Sequence, residues 1–331
     1  MHLQDYMKYP DMACRMGFVP RFRWNGRPVE IISYVKVKKV LYVLGTLFLV
    51  YQDVGELVHW HLVGRKAEGT ASFVAELSEA TGAFMLTSIG ICNIWALTHY
   101  RAEINEVLTE LEELYPRPRE MHYRRQHYFE LANRLMKYEF IFYVAFCAYY
   151  NGAPLLVLLY EHLMDGKEMR YKLQINTWYP WRTHGSALGY GIGFLCTVLS
   201  SIEGVAFSVA THHILCIVTY NLKLHYDSLS EQLLALDSRH PDANRTLRKL
   251  IAYHCQILNL GDKVNHILDF SFLAALICAT VAICMTSVAV LLLDPASAFK
   301  YINGLAAFVV YNFVICYLGT EVTIAVSLER I

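Results

Sequence analysis

The chain has 331 residues, 55% of them apolar and 18% charged, and its 29 Lys+Arg balance 29 Asp+Glu. Soluble domains carry about 45–50% apolar and about 25% charged residues. The composition argues against an ordinary soluble enzyme. Without a basic excess to hold a phosphate backbone, it argues against a nucleic-acid partner as well.

In chain order, the segment 1–39 carries eight Lys/Arg and no apolar core of a cleavable signal, so it is expected to be a cytosolic N-terminal segment ahead of a first span that inserts itself. Long charge-free runs follow: Ala80–Leu97 (18 residues), Phe140–Tyr160 (21), Phe270–Leu293 (24) and Tyr301–Thr320 (20). A bilayer core about 30 Å thick needs roughly 20 residues at about 1.5 Å each. Backbone groups in lipid must pair internally, so each run is expected to be a helix. The first span, 40–62, is clean to Tyr51 and then takes in Gln52, Asp53 and Glu56, which places its far end against protein or water. Thr183–Leu222 has 40 residues and one charge, Glu203. Its middle, Ser200–Gly204, has no proline and a single glycine. Without turn chemistry it reads as one long helix that leaves the membrane.

The expected fold is therefore all-α: a polytopic bundle over 40–331 with spans near 40–62, 73–97, 137–161, 183–208, 268–293 and 299–322. The segments 1–39, 100–137 and 223–263 with Arg330 hold 22 Lys/Arg, against 7 on the other side. The positive-inside rule then puts the amino terminus inside, the reverse of a G-protein-coupled receptor. None of the nine cysteines falls in the proposed outer loops 63–72, 162–182 or 294–298, so no disulfide framework is expected. The single sequon, Asn244-Arg245-Thr246, lies on the inner side and is expected to stay unglycosylated.

The inner segments, about 100–137 and 223–267, are patterned. Ile104, Val107, Leu108, Leu111 and Leu114 recur at helical spacing up to Pro116, with Glu103, Glu106, Glu110 and Glu113 opposite. Leu247, Leu250, Ile251, His254, Ile257, Leu258 and Val264 run into span five, and Leu224, Leu229, Leu233 and Leu236 extend span four. Apolar stripes outside lipid must pack on something, so spans four and five are expected to project inward as a helical bundle. Either the chain's own helices or another subunit could cover those stripes.

In the outer half, Phe84, Phe146, Tyr149, Tyr150, Tyr190, Phe194, Thr197, Tyr301 and Phe308 crowd together. They could line an apolar pocket with a few hydroxyls, or form ordinary packing and an interfacial aromatic belt. Gly152 and Pro154 are expected to kink span three. Among the carboxylates Asp53, Glu56, Glu76, Glu79, Glu203 and Glu321, the last two fall toward the inner half, where an ion relay is conceivable. His212-His213 point about 100° apart on a helix and do not converge on one metal ion. No catalytic arrangement, metal spacing or cofactor loop stands out, so neither an enzyme nor a cofactor is expected.

Three segments carry a resemblance. Asn176-Thr177-Trp178-Tyr179-Pro180-Trp181 precedes a long span four ending in Tyr226-Asp227-Ser228-Leu229. His254-Cys255-Gln256-Ile257-Leu258 leads through Asp262, Val264 and Asn265 into span five. Cys316-Tyr317-Leu318-Gly319-Thr320-Glu321-Val322 is followed by Ser327 and Ile331. In this order they resemble the insect odorant receptor family from about residue 30 onward. The resemblance implies an odorant-gated cation channel subunit in the plasma membrane. It would bind small volatile odorants among spans two, three, four and six, and assemble with a co-receptor subunit into a hetero-tetramer through its inner extensions. It also implies a seventh, pore-lining span, which the sequence up to Ile331 does not include; a fragment and a chain lacking the pore helix are both open. A gustatory-type receptor of the same fold and a G-protein-coupled receptor stand as alternatives. A secondary transporter finds no support, because no internal repeat is visible.

Overall fold

The computed structural model describes residues 2–25, 27, 35–66, 69–115, 124–164, 171, 173–183, 185–237, 239–293 and 295–327. Pro116, Lys167, Arg170, Lys172, Arg330 and Ile331, used above for a helix stop, side assignment or the terminal signature, lie outside them. Among the described residues the regular structure is entirely helical: α1 (Leu3–Tyr6), α2 (Lys8–Met16), α3 (Val35–Leu62), α4 (Thr70–His99), α5 (Arg101–Leu114), α6 (Arg125–Met164), α7 (Ala187–Leu234), α8 (Ala243–Leu292) and α9 (Pro295–Ser327), with a 3₁₀ turn at Gly64–Lys66.

Six of these, α3, α4, α6, α7, α8 and α9, are long and apolar enough to cross a membrane. They correspond one for one to the expected spans. The stretch around Ser200–Gly204 lies inside α7, a single helix of 48 residues, and α8 has 50. At about 1.5 Å per residue both exceed twice the hydrocarbon thickness, so each runs on past the bundle at what we call its extension end. The opposite end, carrying residues 63–66, 69, 171, 173–183, 185 and 186, is the loop end. Helix α6 continues through Pro154 as one helix.

Helix α7 is the axis, packing against α2, α3, α4, α6, α8 and α9. Its stretch 206–229 is buried nearly throughout. Helix α5 buries Ile104, Val107, Leu108 and Leu111, the face its spacing dictates, and its acidic face reaches the α8 extension where Lys263 pairs with Glu106 at 2.8 Å. The α8 stripe divides. Leu250, Ile257 and Val264 are buried, whereas Leu247, Ile251 and Leu258 remain exposed.

The N-terminal segment is more than a charged leader. Leu3, Tyr6 and Met7 are fully buried, with Tyr6 edge-on to Phe129 at 5.1 Å and to Tyr115 at 6.3 Å. Arg27 pairs with Asp11, and Arg101 donates to the carbonyl of Arg21 at 2.9 Å. Helices α1 and α2 thus wedge among α5, α6 and α7 and join the core. All nine cysteines are free thiols.

Candidate functional site

Helix α6 packs chiefly on α7 and touches α9 only sparsely. The gap this leaves beside α4 and α9 holds two chambers. The inner one, with a cavity volume of about 50 Å³, lies between α3, α4, α6, α7 and α9. Its walls are mainly apolar (Leu49, Leu86, Ile89, Phe146, Ile175, Val205, Phe308), with polar groups from Gln52, Thr87, Tyr143, Cys147, Tyr150, Ser200, Ser201, Ser208 and Tyr311. Gln52 and Ser200 are at most 1% exposed. Ser200 Oγ donates to Gln52 Oε1 at 2.7 Å, while Gln52 Nε2 has no hydrogen-bond partner. Buried donors are rarely left unpaired, so this amide, on a chamber-lining residue, is poised to meet an acceptor. The floor is fixed by Asn93, whose Nδ2 donates to Ser208 Oγ (3.1 Å) and Tyr311 Oη (3.0 Å) and whose Oδ1 accepts from Ser271 Oγ (2.9 Å). That network ties four helices together.

The loop end of the inner chamber is closed by residues 173–181. Ile175, 4% exposed, lines the chamber. Gln174 Nε2 donates to Asn151 Oδ1 at 3.0 Å, and Asn151 Nδ2 donates to Ser201 Oγ at 2.9 Å. Trp178 N donates to Gly55 O at 3.1 Å, and Tyr51 Oη donates to Trp178 O at 2.8 Å. Tyr179 stacks on Tyr51 at 5.6 Å and lies 4.9 Å from Trp181, whose Nε1 donates to Gly189 O at 3.0 Å. The Asn176–Trp181 signature is thus the body of a lid.

The outer chamber, with a cavity volume of about 80 Å³, lies between α4, α6, α8 and α9 and shares Leu86, Phe146, Tyr150, Ala307 and Phe308 with the inner one. Tyr149 and Tyr301 face it, as do Lys300 and Glu79, which pair at 2.9 Å.

The nine residues singled out from the sequence therefore separate. Phe146, Tyr150 and Phe308 form the partition between the chambers; Tyr149 and Tyr301 line the outer one alone. Tyr190, Phe194 and Thr197 lie on a face of α7 that meets the loop instead, with Tyr190 5.1 Å from Tyr171 and Thr197 Oγ1 3.4 Å from Tyr179 Oη. Phe84 lines neither chamber. Sequence pattern marks Gln52 only as part of a span end set against protein or water and does not mark Asn93 or Asn151, although an amide inside an otherwise apolar span is itself a signal.

The carboxylates also find their places. Asp53 accepts from Thr87 and Ser88, and Glu321 pairs with Lys223. Glu203 is fully buried and accepts from Thr46 Oγ1 at 3.0 Å; Glu56, 1% exposed, has no partner for either oxygen. His212 and His213, expected to diverge, both reach one carboxylate: His212 Nδ1 contacts Glu139 Oε1, and His213 Nε2 lies 3.7 Å from Oε2. Side-chain length overcomes the angle between adjacent positions when the partner stands beside the helix.

Such a bundle is that of a multi-pass membrane protein holding a small, largely apolar chamber behind a fitted lid. Residues 74–327 match the 7tm odorant receptor family, and the chain belongs to it. It is 50% identical over 325 residues (98% of this chain, 83% of the relative) to putative odorant receptor 69a, isoform A, of Drosophila melanogaster. Isoform B is 31% identical, covering 97% of this chain and 82% of the relative. The fold matches the insect olfactory receptor OR5 from Machilis hrabei with a TM-score of 0.73 at 12% identity, over 98% of this chain and 81% of that one. The same receptor in complex with eugenol matches with a TM-score of 0.67 at 15% identity, over 97% and 82%.

Proposed function

We propose that the protein is an odorant receptor subunit of the plasma membrane that binds a small, mainly apolar volatile molecule in its inner chamber and, with a co-receptor subunit, gates a cation channel. The carrying observation is the chamber itself: apolar walls supply dispersion and area burial, while the Gln52 amide and the Ser200 and Ser201 hydroxyls orient one polar group. The eugenol complex of the Machilis hrabei receptor supports a small, mainly apolar ligand. The exposed Leu233, Leu234, Leu247, Ile251 and Leu258 at the extension end support assembly with a partner subunit there. The amino terminus is cytosolic by the charge balance of the connecting segments, which keeps exposed Asn244 unglycosylated. Ligand opens the channel to the degree that it binds the open state more tightly.

The test is a dose–response series of the chain expressed with a co-receptor, using eugenol and neutral esters, ketones and terpene alcohols. Phe146→Ala, which removes the shared aromatic wall, is expected to shift potency by about tenfold, on the order of 1.4 kcal/mol. Tyr190→Ala, at the lid side of α7, is expected to shift it about threefold or less. Equal responses from both variants and the parent would refute the assignment of the inner chamber.

A further inference from the structure

The two chambers differ in a way that the ligand site alone does not explain. Four polar residues of the inner chamber are almost wholly buried: Gln52 at 1%, Ser200 at 0%, Thr87 and Tyr311 at 4%. At the loop end the lid is seated on Gly55 and Gly189, with Ile175 against the inner chamber. The outer chamber, by contrast, reaches the surface. Tyr149 is 38% exposed and Phe299 56%, and they meet edge-on at 6.1 Å between α6 and α9. That surface is the exposed side of two helices long and apolar enough to cross a membrane.

The outer chamber's own polar groups are already committed. Ser78 Oγ donates to Met285 O at 2.9 Å, Tyr301 Oη donates to Ala75 O at 3.2 Å, and Lys300 is paired with Glu79. Asn303 Nδ2 donates to Phe299 O at 2.9 Å and Thr286 Oγ1 to Ala282 O at 2.7 Å, and the rest of the lining is largely apolar. A molecule there finds apolar contact but little to orient it, whereas the inner chamber keeps the Gln52 Nε2 donor unpaired. A space that accommodates without orienting is suited to transit.

We propose that the outer chamber is the passage by which a neutral ligand dissolved in the bilayer reaches the inner chamber, moving sideways between α6 and α9. The partition is formed where Leu86, Phe146, Tyr150, Ala307 and Phe308 wall both spaces. Phe146 and Tyr150, one helical turn apart, stack at 5.8 Å. Their rotation joins the chambers without any backbone rearrangement, on the time scale of side-chain flips rather than of helix motion. The Lys300–Glu79 pair at the mouth makes the route selective for uncharged molecules, because an ion would have to enter an apolar space beside a pair already neutralised. This inference rests on the inner chamber being the ligand site, but its test does not.

The chain itself supplies the tool. Gly304 lines the outer chamber and not the inner, and a Cβ there meets nothing within 4 Å. Gly304→Leu therefore fills the passage, and Gly304→Ala is its mild counterpart. Ser200→Cys places a thiol in the inner chamber, where the parent side chain is wholly buried. Membranes holding the full chain are treated with methyl methanethiosulfonate, a small neutral reagent that transfers its methylthio group to a thiolate and releases methanesulfinate. Modification is followed peptide by peptide, with exposed Cys284 on α8 as internal reference.

The expected result is that Cys at 200 is modified, that Gly304→Leu slows this at least tenfold, that Gly304→Ala changes it less than twofold, and that Cys284 is unaffected throughout. Gly82→Leu, on the opposite wall where a Cβ comes only to 3.7 Å of Thr286, gives a second obstruction should the first disturb folding. Unchanged modification at 200 in both obstructed chains overturns the proposal, and so does a thiol at 200 that no reagent reaches in the unobstructed chain. If the inner-chamber variants leave odorant potency untouched while obstruction still slows labelling, the binding assignment fails and the passage stands.

Discussion

The lid can be unseated by a single carbon atom. A Cβ on Gly55 would stand 2.6 Å from Thr177 Cγ2 and 3.1 Å from Trp178 O. Carbon atoms rest comfortably at about 3.5–4.0 Å, so in Gly55→Ala the loop must lift by about 1 Å. That movement weakens the bonds from Trp178 N to Gly55 O (3.1 Å) and from Tyr51 Oη to Trp178 O (2.8 Å). At about 1 kcal/mol net each, the loss is about 2 kcal/mol. Alanine in a helix gains about 0.5–1 kcal/mol over glycine, which opposes the loss without cancelling it. A net cost of about 1–1.5 kcal/mol shifts the balance between seated and lifted lid by about tenfold. Amide hydrogen exchange reads this directly, because exchange through local opening scales with the population opened. Residues 173–181 of Gly55→Ala are expected to exchange about ten times faster than in the parent, with the α7 core near Ile217 unchanged. Gly189→Ala, whose Cβ would overlap the Arg182 carbonyl oxygen, is expected to do at least as much. Gly191→Ala, where nothing lies within 4 Å, is expected to do nothing. Exchange in 173–181 that is the same in Gly55→Ala and Gly191→Ala would show that the close approach does not hold the lid.

Two predictions concern the N-terminal segment. Tyr6→Ala empties a fully buried site between Phe129 and Tyr115 and is expected to cost about 3 kcal/mol, read as a lowered midpoint of thermal unfolding in detergent; an unchanged midpoint would mean that α1 and α2 do not dock. Burial, only partly offset by Arg101, pushes the Cys14 thiol from its ordinary 9.0 up to about 12. The folded state holds this proton more tightly than the unfolded one, so the stability it contributes is whole below pH 9 and is lost as pH rises towards 12. Cys14→Ala is therefore expected to show a shallower alkaline loss of stability than the parent, measured by unfolding midpoints across that range; parallel curves would rule this out.

The membrane spans were legible because lipid imposes a rule that acts on every residue of a run: one charge is costly, and 24 residues from Phe270 to Leu293 carry none. The length of α7 was legible for a similar reason, since Ser200–Gly204 offers no turn chemistry and the helix has no cause to stop. The α5 face followed from spacing alone, with Ile104, Val107, Leu108 and Leu111 all buried. Docking of α1 and α2 was not legible. Tyr6 and Met7 sit among polar neighbours in sequence, and only the groove between α5, α6 and α7 makes them core.

For the candidate site, spacing says which side chains share a face but not what the face confronts. Phe146 and Tyr150 share one, and Tyr190, Phe194 and Thr197 share another. The first meets the gap that α6 leaves beside α4 and α9; the second meets Tyr171 and Tyr179 of the loop. Tyr149, adjacent to Tyr150 and turned about 100° from it, opens to the other chamber. Asn93 and Asn151 carry no charge to mark them, and Gln52 stands out only as one of three polar residues that end the clean run at Tyr51, yet all three amides do what charge could not do cheaply in lipid. Asn93 clamps four helices at the floor, Asn151 holds the lid to α7, and Gln52 alone keeps a donor free. An uncharged amide costs less to bury than an ion and offers both donor and acceptor. A bundle that must hold a cavity open inside a bilayer can therefore fix its walls with amides and leave the remaining polar capacity for the molecule it admits.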